Sequence, residues 1–287
     1  MLIINAHAKL NLYLEITGRR ADGYHLLDMV MQSVDLCDTV SLSLCEGGGV
    51  QLSCSDPAVP TDGRNLACKA AASVFAATGY AGGANIHIEK RIPMGAGMGG
   101  GSADGAAVLF GLNELLGRPL SAEKLAALAL PLGADVPFAL TGGCLRAQGV
   151  GEVLTPLSNN MEGCYLLLKP KAGVNTAAAY GAYDAAPVPG PGSAACIAAL
   201  AGGDIAAFGA ATFNALLPAA KQLCPPVSEL LAYLSGCADA AFMTGSGSTC
   251  VGVFATQAAA LSALQGAPAC AHTKAVVRPA THGLSLL

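Results

Sequence analysis

The chain of 287 residues has no tryptophan, and aromatic residues make up only 5% of it. Charged residues are scarce as well, at 12%. Basic side chains number 15 against 19 acidic ones, for a net charge of −4, and the densest basic spots, Arg19-Arg20 and Lys90-Arg91, are only pairs. A nucleic-acid binder carries a basic excess or cluster, so the composition argues against that class. Phosphate, if this chain holds it, must be held largely by main-chain amides. Uninterrupted apolar runs are also missing. The most apolar stretch, 194–217, contains Asp204 and three glycines and reads as packed helices, not a membrane span. The N-terminal stretch lacks a charged leader region and places Lys9 in its middle, which predicts no signal peptide and a cytoplasmic location. No C-x-x-C pair and no H-x-x-x-H spacing occurs, so no zinc site is legible. The 11 cysteines, an odd number, mostly stand among apolar neighbours, where a thiol acts as a small hydrophobe in a reducing compartment.

What is present is a large apolar fraction, 53%, much of it alanine, and 36 glycines. The length predicts one large or two moderate domains. From Ala6 to Ile16 the sequence alternates: Ala6, Ala8, Leu10, Leu12, Leu14 and Ile16 on one side, His7, Lys9, Asn11, Tyr13 and Glu15 on the other. Period two predicts a strand with one buried face. Further strands are expected at 30–36, 39–44 and 84–90, with loops at 46–49 and 55–65 and helices at 66–78 and 102–116. A helix begins after Ser121, a natural N-cap. A hairpin follows at 144–157, and the character changes near Pro156. Beyond it come a strand in "CYLLLKP", a loop at 186–193, and helices at 204–217 and 226–235. The chain ends in strand, glycine loop, strand, helix and strand. Mixed order without strict alternation predicts an α+β architecture, divided as 1–155 and 156–287.

Five glycines lie between Gly95 and Gly101, just before a helix. The dinucleotide fingerprint G-x-G-x-x-G fits Gly95 to Gly100 literally. Its context fails, because the preceding strand is half exposed, Pro93 intervenes, and no acid-ended strand follows. A P-loop fails too, since Gly101 occupies the lysine position. The physics common to both survives. Small residues let amides approach an anion, and a helix N-terminus supplies free N–H donors and partial positive charge. Tight packing is the bland alternative for the same glycines.

"PMGAGMGGGSADGAA", from Pro93, resembles the phosphate loop of the GHMP kinases. "AKLNLYLEITGRRADGYHLL" from Ala8, "LGADVPFAL" around Asp135 and "TGSGSTCVGVF" from Thr244 resemble further segments of that family, in the family's order. Ala103 and Gly105 depart from the commoner serine and alanine, which removes a serine from the loop, and Met98 stands for a commoner leucine. The resemblance implies a two-domain GHMP-kinase-like α+β fold. Its N-terminal domain would be like the second domain of a ribosomal protein and its C-terminal one ferredoxin-like, with the site between them. It also implies ATP- and Mg2+-dependent phosphorylation of a hydroxyl on the methylerythritol part of a cytidine diphosphate conjugate, a step of non-mevalonate isoprenoid synthesis.

From spacing alone, Asp135 before Val-Pro reads as a helix N-cap; the resemblance makes it the general base, paired with Lys9. It assigns ATP to Asn65, Lys90, Pro93, Met94, Gly95, Ala96, Gly97, Met98, Gly99, Gly100, Gly101, Ser102 and Ala103. It assigns the phosphate acceptor to Asn11, Tyr24, His25, Thr176 and Tyr180, with Tyr24 stacking on cytosine and His25 bonding its edge. Read as plain residues, Lys9 and Asn11 belong to a solvated sheet face, Lys90 to a strand end, and Tyr24 to an ordinary turn. The glycines of 244–249 are expected to approach a substrate phosphate or the first loop. A GHMP kinase for another small alcohol, such as homoserine or mevalonate, is the alternative reading. Metal ligands and oligomeric state are not legible.

Overall fold

The computed structural model describes all 287 residues. The first sheet is built on two long strands, β1 (Leu2–Arg19) and β2 (His25–Cys45), paired antiparallel through the turn at 20–24. One edge of β2 is shared. Its first half pairs with β5 (Cys144–Gly149), and its second half with β4 (Gly83–Glu89). β3 (Gly49–Cys54), which the sequence pattern did not show, lies parallel to β4, and β6 (Val153–Pro156) closes a hairpin with β5. α1 (Leu66–Thr78), α2 (Gly100–Leu115), α3 (Ala122–Ala129) and α4 (Val136–Thr141) belong to this half. Alanines of α1 and α2 pack with Ile4, Val40, Ile86 and Ile88 in one core.

The second sheet has the order β10-β7-β9-β8, from β7 (Cys164–Pro170), β8 (Ala240–Met243), β9 (Cys250–Phe254) and β10 (Ala271–Val277). Six helices accompany it: α5 (Thr176–Ala185), α6 (Ala194–Gly202), α7 (Ile205–Ala211), α8 (Leu217–Leu223), α9 (Pro226–Ser235) and α10 (Gln257–Gln265). The α+β class expected from the sequence is therefore observed. The last strand, β11 (Leu284–Leu286), returns to the first sheet beside β1. A core of Ala8, Leu10, Leu12, Tyr165, Leu167 and Phe208 joins the two sheets without a break.

Alternation in β1 holds less strictly than its sequence suggests. Register shifts after His7 and Asn11 break the period, and every residue from Ala8 to Leu14 is buried. Tyr13, expected on the polar side, is fully buried, and its hydroxyl donates to Glu15 at 2.6 Å. The helix expected over 204–217 ends at Ala211 as α7, and α8 begins only at Leu217. Between them, Thr212 donates its hydroxyl to Leu12 O, Leu14 N–H donates to Phe213 O, and Ala215 N–H donates to Leu14 O. An unpaired strand edge is a row of unmet donors and acceptors, and satisfying it there outweighs continuing the helix. α2 starts two residues ahead of the expected Ser102, because Gly99 adopts φ +70° as its N-cap. All 11 cysteines are free thiols, and burial pushes Cys144, Cys196 and Cys250 up to about 12.

Candidate active site

The edge of β1 that faces away from β2 is closed piece by piece along the chain. β11 covers Ile4–Ala6, Met98 O accepts from Lys9 N–H at 3.0 Å, and Thr244 Oγ accepts from Asn11 N–H at 2.8 Å. The two glycine loops thus meet on the strand that carries Lys9 and Asn11. They interlock tightly: a methyl on Gly97 would lie 2.4 Å from Thr244 O, and one on Gly245 would lie 2.7 Å from Gly97 O. Gly97 also sits at φ +73°, which β-carbon-bearing residues avoid. Of the two outcomes expected for the glycines of 244–249, approach to the first loop is what the structure shows.

A cleft of ≈ 890 Å3 opens above this junction. Lys9, Asn11, Tyr24, His25, Asn65, Lys90, Asp135, Thr176, Tyr180 and every residue from Pro93 to Ser102 line it. Ala103 does not. Its side chain lies in the core beneath α2 and its N–H donates to Gly99 O, so it has nothing left to offer a ligand. No side chain caps α2 and no acid stands in its first turn, unlike α1, which Asn65 caps. The leading N–H groups of a helix have no intrahelical partner, so these face the cleft as free donors.

Asp135 precedes α4, yet its side chain makes no capping bond. One oxygen instead lies 3.4 Å from Lys9 Nζ, which also donates to Asn11 Oδ1 at 2.5 Å. The cap reading from spacing alone is corrected: the adjacent ammonium takes the carboxylate, and Pro137 leaves no N–H at that place in the turn. Gly99 lies beneath the pair, where an added methyl would be 3.1 Å from Lys9 Cγ and 3.6 Å from Asp135 Oδ2. The end of the glycine loop therefore abuts a cation–carboxylate pair both of whose members line the cleft.

At the other end, His25 stacks on Tyr180 with ring centroids 4.7 Å apart and planes inclined by 28°. Its Nε2 lies 2.7 Å from Asp184 Oδ1, a partner the sequence pattern did not single out. Tyr24 is 66% exposed at the cleft mouth. Burial first, and the Asp135 charge second, push the Tyr180 phenol up to about 12, so it stays a neutral aromatic face. Thr176 and Ser246 share a hydroxyl–hydroxyl bond of 3.0 Å. Asn65 spends its amide locally, accepting from Ala67 N–H and donating to Pro60 O. Lys90 spends its ammonium on Asp38 and Asp104.

Comparisons with known proteins place the chain in a family. The model for the GHMP kinases N terminal domain matches residues 65–143, and that for GHMP kinases C terminal matches residues 196–270. The chain belongs to the GHMP kinase family. Within it, the chain is 44% identical over 259 residues to a 4-diphosphocytidyl-2-C-methyl-D-erythritol kinase of Desulfitobacterium hafniense, covering 88% of this chain and 87% of that one. A crystal structure of 4-(cytidine 5'-diphospho)-2C-methyl-D-erythritol kinase superposes with a TM-score of 0.79 at 34% identity, over 96% of this chain and 98% of that one. A homoserine kinase from Cytophaga hutchinsonii gives the same TM-score at 19% identity, over 100% and 97% of the two chains, and shows the shared fold alone.

Proposed function

We propose that this kinase transfers the γ-phosphoryl group of ATP to the 2-hydroxyl of 4-diphosphocytidyl-2-C-methyl-D-erythritol, for isoprenoid precursor synthesis. The observation that carries the chemistry is the Lys9–Asp135 pair, 3.4 Å apart over Gly99 at the start of α2. The triphosphate tail lies along residues 95–102, with the free donors of α2 on its oxygens. Asp135 takes the hydroxyl proton as the oxygen forms its bond to the γ-phosphorus. The bond to the bridging oxygen breaks, and ADP leaves with the electron pair. Lys9 orients the carboxylate and offsets charge on the transferring group, in a reaction dominated by positioning and electrostatics.

Asn11 and Thr176 flank the reacting end of the acceptor, while Tyr24, His25 and Tyr180 receive its cytosine. Asn65 and Lys90 border the adenosine side through the elements they hold in place. Magnesium enters this reading as a counter-ion of the triphosphate, whose charge it neutralises. No three His, Cys, Asp or Glu side chains converge, so the chain's own residues do not make a cage for it. The division at 155 is part of the proposal, with β11 crossing back to the first half. So is action in the cytoplasm; no helix is long and apolar enough to cross a membrane.

The test is an ATP-dependent phosphorylation assay with the cytidyl conjugate, free methylerythritol, homoserine and mevalonate. Turnover with the conjugate at least about 100-fold above the others is expected, as the base-binding end supplies several kcal/mol. Equal turnover of substrates lacking cytidine would reject the substrate assignment.

A further inference from the structure

Under the glycine loop lies a buried charge cluster that the chemistry above does not use. Asp38 stands on β2 at the fork where β4 and β5 part, and it is fully buried. Its Oδ1 accepts from the main-chain N–H groups of Arg91 at 2.6 Å and Ile92 at 2.8 Å. Its other oxygen accepts from the Lys90 ammonium. That ammonium also donates at 2.8 Å to Oδ2 of Asp104, on the second turn of α2. A methyl on Gly100 would lie 3.2 Å from Lys90 Nζ and 2.9 Å from Ile92 Cγ2, so the cluster touches the first residue of α2. Both ends of the loop, residues 90–92 and 100–104, are thereby tied to one carboxylate on β2.

The two carboxylates are not equivalent. Asp38 fills both oxygens with three donors, whereas Asp104 leaves its buried Oδ1 without a partner. Two buried negative charges share one ammonium. Burial first, and Asp38 as a like charge, raise the Asp104 carboxyl against the opposing pull of Lys90. The cluster needs the acceptors of Asp38 more than the charge of Asp104.

We propose that Asp38 is a positioning residue for the phosphate-binding loop, fixing its start through two main-chain bonds and its end through Lys90 and Asp104. The donors of Gly100, Gly101 and Ser102 are then preset for the triphosphate before it arrives, which removes part of the ordering cost of binding. Lys90 acts here as a strut between two acids. This rests on residues 95–102 being the phosphate cradle.

Three variants separate the cases. In Asp38→Asn, an NH2 replaces an acceptor against main-chain N–H groups or the Lys90 ammonium. In Asp104→Asn, the remaining oxygen keeps its bond to Lys90 and the NH2 takes the unpartnered place. Gly101→Ala reports on the cradle itself. A methyl there meets nothing within 4 Å, and alanine is the better helix former, so the fold tolerates it.

The measurements are KM for both substrates, the affinity of a nonhydrolysable ATP analogue, and thermal unfolding. Asp38→Asn is expected to weaken ATP about 10-fold or more while KM for the cytidyl substrate moves less than about 2-fold. Asp104→Asn is expected to stay within about 3-fold of wild type on ATP. Parallel loss of both KM values in Asp38→Asn, unchanged ATP affinity, or an equal effect in Asp104→Asn overturns the inference. If Asp38→Asn does not fold, Asp38→Asn/Lys90→Gln removes the buried ammonium, then left with Asp104 as its one carboxylate, and carries the same readouts. If Gly101→Ala leaves ATP affinity untouched, the cradle reading itself fails. If it weakens ATP while Asp38→Asn does not, only the positioning role of Asp38 fails.

Discussion

The two ends of the cleft are built in opposite ways. The end proposed to hold the triphosphate is one contiguous run, residues 95–102, which offers main-chain N–H groups. The end proposed to receive the base joins His25 on β2 to Tyr180 and Asp184 on α5, more than 150 positions away, and it offers side chains. Each has its reason. A polyphosphate is recognised by charge and many equivalent oxygens, which amides meet without side chains. A nucleobase is recognised by a flat face and an edge, which need an aromatic ring and a held donor or acceptor. The pair proposed to react, Lys9 and Asp135, stands between the two, on a strand and a helix start that meet only in the folded chain.

The sharpest way to break this comparison is at the middle. Asp135→Asn should lower kcat by about 10²–10⁴-fold with ATP and cytidyl affinities nearly unchanged. Single-turnover kinetics with parallel binding measurements check it, and retained turnover would remove Asp135 from its role as base. Next, Tyr180→Ala should raise KM for the cytidyl substrate by about 5–150-fold, the value of one base–aromatic stack, with KM for ATP unmoved. An equal rise in both would mean that the two ends are not separable.

The smallest effect concerns how the base end is held. Asp28, on β2 near His25, accepts from Arg146 at 2.8 and 2.9 Å and from Ser193 Oγ at 2.7 Å, tying β2 to the start of α6. Burial opposes its charge, but these bonds prevail and hold its carboxyl below the usual range. A folded-state value below the unfolded one gives stability that is present above the unfolded pKa. It is lost as pH falls through the folded value. Acid unfolding should therefore steepen below the ordinary carboxylate range, and Asp28→Asn should flatten that limb. An unchanged acid limb in the variant, followed by circular dichroism, would deny Asp28 this part.

Much of the local structure was legible because local rules decide it. α1 starts at Asn65 and ends before a left-handed Gly79, β4 alternates, and Ser121 caps α3. The loop proposed to hold phosphate was legible for the same reason: its glycines, its proline and its helix are consecutive. The base end was less legible. Asp184 is one acid among many in the sequence, and only packing α5 beside β2 brings it to His25. Asp38 stands in no motif, and Asp104, although inside the glycine segment, reads as an ordinary residue of its helical part.

By itself, the sequence determined the α+β class, the glycine run before α2 and the segments that mark the family, because each depends on neighbours within a few positions. Only the tertiary structure decided whether Asp135 caps a helix or faces Lys9, that Ala103 turns into the core, and that Lys90 is bound between two acids. Those outcomes depend on which edges and faces remain unmet after the strands pair. A buried charge or an open strand edge takes whatever partner the rest of the chain brings within hydrogen-bonding distance.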